Sequence, residues 1–198
     1  MNDVRHFGAV GDGTHDDSDA IQHAVEQGGG GLLFPPGRYR LTKTIVVDLA
    51  KTGFSGVEGP QGAAQIVMES PGPAFRLEGT HTGTASPATV KPKVWQRERF
   101  PVISGIEILG THPEADGIEL FQTMQTTIQN VSIRNCRHAI HLVERNRNFL
   151  LANSHIYDCH ATGVFFDHCN LHQAIITGNH ISYCKHAGIR QSDGDVHN

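Results

Sequence analysis

The chain has 198 residues, enough for one sizeable domain or a repeat array. Sixteen Lys and Arg against 20 Asp and Glu leave a net charge of −4, which argues against a nucleic-acid partner held by phosphate charge. No apolar run approaches a membrane span and no signal-peptide pattern opens the chain, while 22 glycines and 18% charged residues suit a turn-rich β protein.

In chain order, residues 3–7 read as a short strand and residues 8–13 as a turn run. Thr14, His15, Asp16 and Asp17 then offer helix-capping side chains. A helix is expected over Ser18–Gln27, with Ala20, Ile21, Ala24 and Val25 as its apolar stripe, stopped by the glycines at 28–31. Asp16 and Asp17 form an acid pair, but their place at the cap makes the structural role the expected one. Residues 32–34 read as a strand that turns through Pro35, Pro36 and Gly37 into residues 39–41. Residues 39–47, 54–57, 65–68 and 74–77 are further short strands bounded by Gly or Pro. Residues 79–101 are the longest stretch without periodicity. They hold the single tryptophan, Trp95, among Lys91, Lys93, Arg97 and Arg99. A solvated loop with Trp95 packed back on the body is expected there, and a basic segment with an aromatic is also suited to gripping an acidic sugar.

From residue 102 a short pattern is written several times. Asp116-Gly-Ile-Glu-Leu120 returns as His138-Ala-Ile-His-Leu142, Thr162-Gly-Val-Phe-Phe166 and Ala187-Gly-Ile-Arg-Gln191. Between these, an Ile recurs at 133, 156 and 181, in steps of 23 and 25 residues, with Ile108 one step earlier. A period of this length with several short strands per repeat predicts a stacked β-solenoid. The within-strand period of two turns Ile118, Ile140, Val164 and Ile189 to the core. Glu119, His141, Phe165 and Arg190 turn outward. Cys136, Cys159 and Cys184 share one repeat position and are expected as a buried column of free thiols, although neighbours come within disulfide range. No C-x-x-C pair is present, so no metal is expected.

Asp3-Val-Arg-His-Phe-Gly-Ala-Val-Gly-Asp-Gly13, Asp16-Asp17, Ala20-Ile21 and Phe34-Pro-Pro-Gly-Arg-Tyr39 resemble the opening of the pectate-lyase-like right-handed β-helix proteins. More narrowly, they resemble the group that joins rhamnogalacturonases, alginate-type epimerases and phage tailspikes. The close match covers about the first 45 residues; beyond it the agreement is in the repeats. The resemblance implies a right-handed, single-stranded parallel β-helix with an N-terminal capping helix, as one domain over 1–198. Residues 1–47 are the cap and first turns, 79–101 the long loop and 102–198 the regular rungs. It also implies an uronic-acid-containing polysaccharide as partner, cleaved or modified by a hydrolase, lyase or epimerase. The alternative is a non-catalytic glycan-binding or structural module. An extracellular or periplasmic location goes with the family. No cofactor is expected, except calcium if the reaction is a lyase's. The chain stops just after a rung begins, so further chain, an oligomer or a partner is expected to cover that end.

The family's cleft runs along one outer strand face, which points to the outward row. Glu114-Ala-Asp116-Gly-Ile118 is similar to the Asn-Thr-Asp-Gly-Ile of the polygalacturonase branch, with the first two residues replaced. That branch's Gly-His-Gly and Arg-x-Lys motifs are absent, as is the Asp-Pro-His-Glu of the alginate epimerases. The candidate catalytic residues are therefore Asp116, His141, Arg190, Asp193 and Asp195. Glu119, Phe165, Trp95, His138 and His197 are the candidate substrate contacts. Their competing explanation is that outward solenoid positions are polar anyway and that Asp-Gly is turn chemistry.

Overall fold

Runs of three to seven β-forming residues alternate with single residues in the left-handed region, and this rhythm bends the chain into coils. Gly105, Asn130, Asn153 and Gly178 hold one corner at φ 75°, 51°, 50° and 66°, a conformation that Gly and Asn adopt at least cost. Asn135, Asp158 and Tyr183 hold the next. The computed structural model describes residues 1–197, with side chains through residue 196.

All strand pairs are parallel, each strand lying over its equivalent one coil away. Ile45, Phe75, Ile118, Ile140, Val164 and Ile189 form one inner file. A second file is Tyr39, Ile66, Ile108, Ile133, Ile156 and Ile181. A third is Leu32, Val57, Ile103, Ile128, Leu151 and Ile176. The files merge into one continuous core. Each fully buried Ile or Leu contributes about 1.5–3 kcal/mol, and no coil buries its own face without its neighbours. Toward residue 197 the files open: Ile181 is partly buried and Ile189 half exposed.

The repeat keeps a small residue before each apolar one because the coils approach closely there. A Cβ on Gly117 would lie 2.3 Å from the Ala139 carbonyl oxygen, and one on Gly163 2.5 Å from that of Gly188. The cysteine column also follows register. All four cysteines are free, and Cys136 and Cys159 are buried. Burial, with Asp116 adding to it, pushes the Cys136 thiol up to about 12, so this column packs as small hydrophobes.

The helix Ser18–Gln27 forms as expected and buries Ile21, Ala24 and Val25 over the first coils. Its approach differs from the sequence expectation. Only Asn2–Asp3 is strand; Val4–Phe7 is a 3-10 turn, held by the Asp3 carboxylate on the Arg5 N–H and ended by Gly8 at φ 103°. Residues Asp12–Asp16 form a strand rather than a cap. Asp16 accepts from the Ser18 N–H, whereas Asp17 turns away to accept from the N–H groups of Val10 and Gly11. Both acids are structural.

Two long strands, His138–Ala152 and Thr162–Thr177, run around a corner that the sequence pattern treats as a break. Asn146 makes this bend continuous: its side chain is buried and bonds the Thr123 hydroxyl and the Leu120 and Val143 carbonyls. The stretch 79–101 is not shapeless either. It holds a 3-10 turn at Pro87–Thr89 and a π-helical turn at Val94–Glu98. Buried Glu98 accepts from the Thr80 N–H and hydroxyl, and Arg147 donates to the Thr84 and Ala85 carbonyls. These bonds pin the loop to the coils.

Candidate functional site

Strand alternation places one residue per coil on the outer face of the sheet that carries Ala115–Phe121. Parallel register then lines these up as Arg76, Glu119, His141, Phe165 and Arg190. Two residues further along each strand, Glu78, Phe121, Val143, Asp167 and Ser192 form a parallel row. Basic and acidic side chains alternate over Arg76, Glu119 and His141 of the first row, and the second row adds the acids Glu78 and Asp167. Arg76 bonds both Glu78 and Glu119. His141 Nδ1 lies 3.3 Å from Glu119 Oε2 and its Nε2 3.1 Å from Asp167 Oδ2. The Nδ1 contact is an ion-pair approach without the alignment of a hydrogen bond. Asp167 also meets His168 Nδ1 at 2.7 Å, and His168 Nε2 meets Asp193 Oδ2 at 3.2 Å.

The His141 ring is stacked on Phe165, with centroids 5.4 Å apart and planes 4° from parallel. The Arg190 guanidinium lies over the other neighbourhood of Phe165, 5.1 Å from its centroid. Phe165 is buried. It is a wall that fixes His141 and Arg190, not an open platform for a sugar ring. His138, the first residue of its strand, closes the group, 5.3 Å from the His141 centroid and 5.0 Å from that of Phe165.

The two histidines are tuned apart. Burial alone would push His141 down, but the carboxylates of Glu119 and Asp167 outweigh it and hold the imidazole above its ordinary value. Burial drives His138 down to about 4; Asp116 offsets this only in part, and the positive charges of His141 and Arg137 reinforce it. The site therefore sets an imidazole held toward its protonated form beside one held toward its neutral form, the ordering expected of an acid next to a base. Asp167 is held below the ordinary carboxylate value, because the rings of His168 and His141 outweigh its burial.

The remaining expected residues fall outside this group. Asp116 is 1% exposed and fully engaged: Arg137 Nε and Nη2 donate to its two oxygens at 3.0 and 2.5 Å, and the His138 N–H donates at 2.9 Å. It anchors the start of the strand that carries His138, and all its hydrogen bonds in this structure are to Arg137 and the His138 backbone. Asp193 joins only through His168 and is well exposed. Asp195 lines a different hollow, with Thr84, Arg145 and His172. Trp95 is packed on Val90, Val94 and Met124 under the long loop. The side chain of His197 lies outside the described residues. Arg76, Glu78, Asp167 and His168 were not anticipated. Asp167 was readable as the outward position after Phe165; Arg76 was hidden because residues 79–101 interrupt the period. Among the described residues no group of three or more His, Cys, Asp or Glu is placed to hold a metal ion.

Compared with known proteins, residues 94–198 match the model of the right-handed β-helix region, and residues 1–63 match that of the rhamnogalacturonase A/epimerase, pectate lyase-like group. The mannuronan C-5 epimerase AlgE4 A-module of Azotobacter vinelandii superposes with a TM-score of 0.73 at 19% identity, over 96% of this chain and 53% of that module. ORF18 of Geobacillus virus E2 does so with 0.66 at 20% identity, over 98% and 40%. Plasmin and fibronectin-binding protein A of Streptococcus pneumoniae is 52% identical over 48 residues, 22% of this chain and 6% of that protein. The chain thus spans about half of the epimerase module, its match to the streptococcal protein covers a small part of that protein, and the structural likenesses concern the fold. The family match covers more than half of the sequence and agrees with the parallel coils: the chain belongs to the right-handed β-helix family.

Proposed function

We propose that the protein binds an acidic polysaccharide along the outer row and removes the proton beside a uronate carboxylate, leading to elimination or epimerisation. One observation carries the reading: the rings of His138 and His141 stand side by side, 5.3 Å apart, with burial favouring the neutral form of the first and the carboxylates of Glu119 and Asp167 favouring the protonated form of the second. Neutral His138 accepts the C5 proton, and the electron pair passes to the carboxylate, where the exposed Arg190 guanidinium meets the added charge. In elimination His141 then gives its proton to the C4 oxygen as the C4–O bond breaks, from the same side as the base. In epimerisation His141 keeps its proton and adds its charge to that of Arg190 beside the carbanion, while water on the opposite face returns a proton to C5 and the proton on His138 neutralises the hydroxide left. The acid pair of a glycosidase fits less well, since Glu119, Asp167 and Asp116 are each bound by cationic partners. The likeness to a mannuronan epimerase module supports a uronate substrate. Binding without turnover is the second reading, favoured by the short stretch of identity to a streptococcal protein that binds plasmin and fibronectin.

The test is incubation of the full chain with a panel of uronate polysaccharides. Unsaturated-uronate absorbance marks elimination, and altered uronate composition without chain cleavage marks epimerisation. Both are expected to vanish in His141→Gln. New reducing ends without unsaturation would replace this reading with hydrolysis, and binding without any product would leave the second one.

A further inference from the structure

Past the bend at Asn146, the far part of the same strands carries a cleft that the proposed chemistry does not use. It has a volume of about 680 Å³ and lies between the π-helical turn and the strands beneath it. Arg97, Arg99 and Phe100 form one wall, and Thr127 and Leu150 form the floor. The amides of Gln96, Gln125 and Asn148 and the stretch Gly53, Phe54 and Ser55 complete the lining. Among the described residues that line it none is acidic, although the chain carries a net charge of −4.

The local fold sorts these charges. In Arg97-Glu98-Arg99 the middle carboxylate is buried and bound by Thr80. Both guanidinium groups are left on the exposed side, Arg97 braced on the Lys51 carbonyl and Arg99 over the Trp95 ring at 5.9 Å. Phe100 follows with a bulky side chain 60% exposed and its backbone at φ 63°, and its N–H is tied to the Met124 carbonyl. A left-handed Phe that buries little is costly for the fold alone. The floor continues into a smaller apolar hollow over Leu150 and exposed Ile175. In register, the row Gly56, Val102, Thr127, Leu150 and Ile175 crosses five coils, roughly 19 Å at the strand spacing.

We infer that this cleft is a second binding site, for an acidic oligosaccharide lying along the stack. Arg97 and Arg99 take the sugar carboxylates. The amides and Thr127 take hydroxyls, and Phe100 with Ile175 carries the apolar faces of the rings. The choice of a uronate rests on the reading of the His138–His141 face. The cleft holds the polymer away from the reacting unit, so its binding energy adds to that of the row.

Trp95 is the only tryptophan and lies beneath Arg99, so its emission reports on this cleft and not on the histidine row. Titration of the full chain with oligogalacturonate is expected to change that emission saturably, and a neutral oligosaccharide of equal length is not. In the Arg97→Gln, Arg99→Gln double variant the midpoint is expected to rise about tenfold or more. Phe100→Asn relieves the backbone strain, so it is expected to melt no lower than the parent while binding more weakly. His141→Gln keeps the response while losing turnover. An unresponsive Trp95, an equal response to the neutral sugar, or a response untouched in both cleft variants overturns the site. Product formation with a silent Trp95 refutes the cleft and leaves the row; a saturable response without product does the reverse.

Discussion

Asp116→Ala is expected to cost stability and to spare chemistry. The carboxylate is 1% exposed and receives three donors, two from Arg137 and one from the His138 N–H. Breaking a fully buried ion pair from one side costs about 3–5 kcal/mol. Arg137, however, keeps 39% of its side chain exposed and can turn to water. What stays unpaired is the His138 N–H, at about 1–3 kcal/mol, with a small void under the turn. A loss of roughly 2–3 kcal/mol is therefore expected, which lowers Tm by about 4–12 °C in a chain of this length. Urea titration reads the loss as a lower midpoint at unchanged slope. Turnover of the wild-type substrate, measured well below the variant's transition, is expected to stay within a few-fold. A variant of full stability and no activity would refute this and return Asp116 to the reacting groups.

His141 is raised in the folded state, so its contribution to stability is complete below the ordinary imidazole value of 6.5 and is lost as pH climbs through the folded value. The gap in unfolding free energy between wild type and His141→Gln should shrink as pH rises; a gap that widens contradicts the ion-pair geometry. His138, pushed down to about 4, acts with the opposite sign. It costs stability as pH falls below 6.5, and His138→Gln should remove that acid-side loss in the same titration. Gly117→Ala drives a Cβ into the Ala139 carbonyl of the next coil and is expected to destabilise by about 1–3 kcal/mol; an unchanged Tm would show that the coils are spaced more widely than described. Turnover is expected to survive a metal chelator, since the proton transfers are assigned to histidines. Loss on chelation with recovery on added calcium would move charge stabilisation from Arg190 to a cation.

The coil geometry was legible wherever a single residue type repeats at an even step. Ile133, Ile156 and Ile181 were read as one file, and they pair directly. The outward row was legible for the same reason, from Glu119 to Arg190. Arg76 belongs to that row but precedes it by 43 residues instead of one period, because the pinned loop 79–101 intervenes. Asp116 was read as a catalytic acid from its Asp-Gly-Ile setting. Its partner Arg137 comes 21 residues later, one coil up, and only three-dimensional register brings them together. Phe165 was read as a binding aromatic; that His141 and Arg190 cover it depends on rotamers that a strand pattern does not specify. The opening turn was misread for a local reason. Val4 and Phe7 suit a strand, but the Asp3 side chain captures the Arg5 N–H and starts a tight turn instead.

The most direct test follows the abstracted proton itself. An oligouronate deuterated at C5 is supplied to the wild-type chain, and release of the label into water is measured by NMR. Release in step with product is expected, with a fall of about a hundredfold or more in His138→Gln. Product that keeps its label, or full release by His138→Gln, would contradict the assignment of His138 and His141 as the proton-transfer pair of an acidic-glycan site.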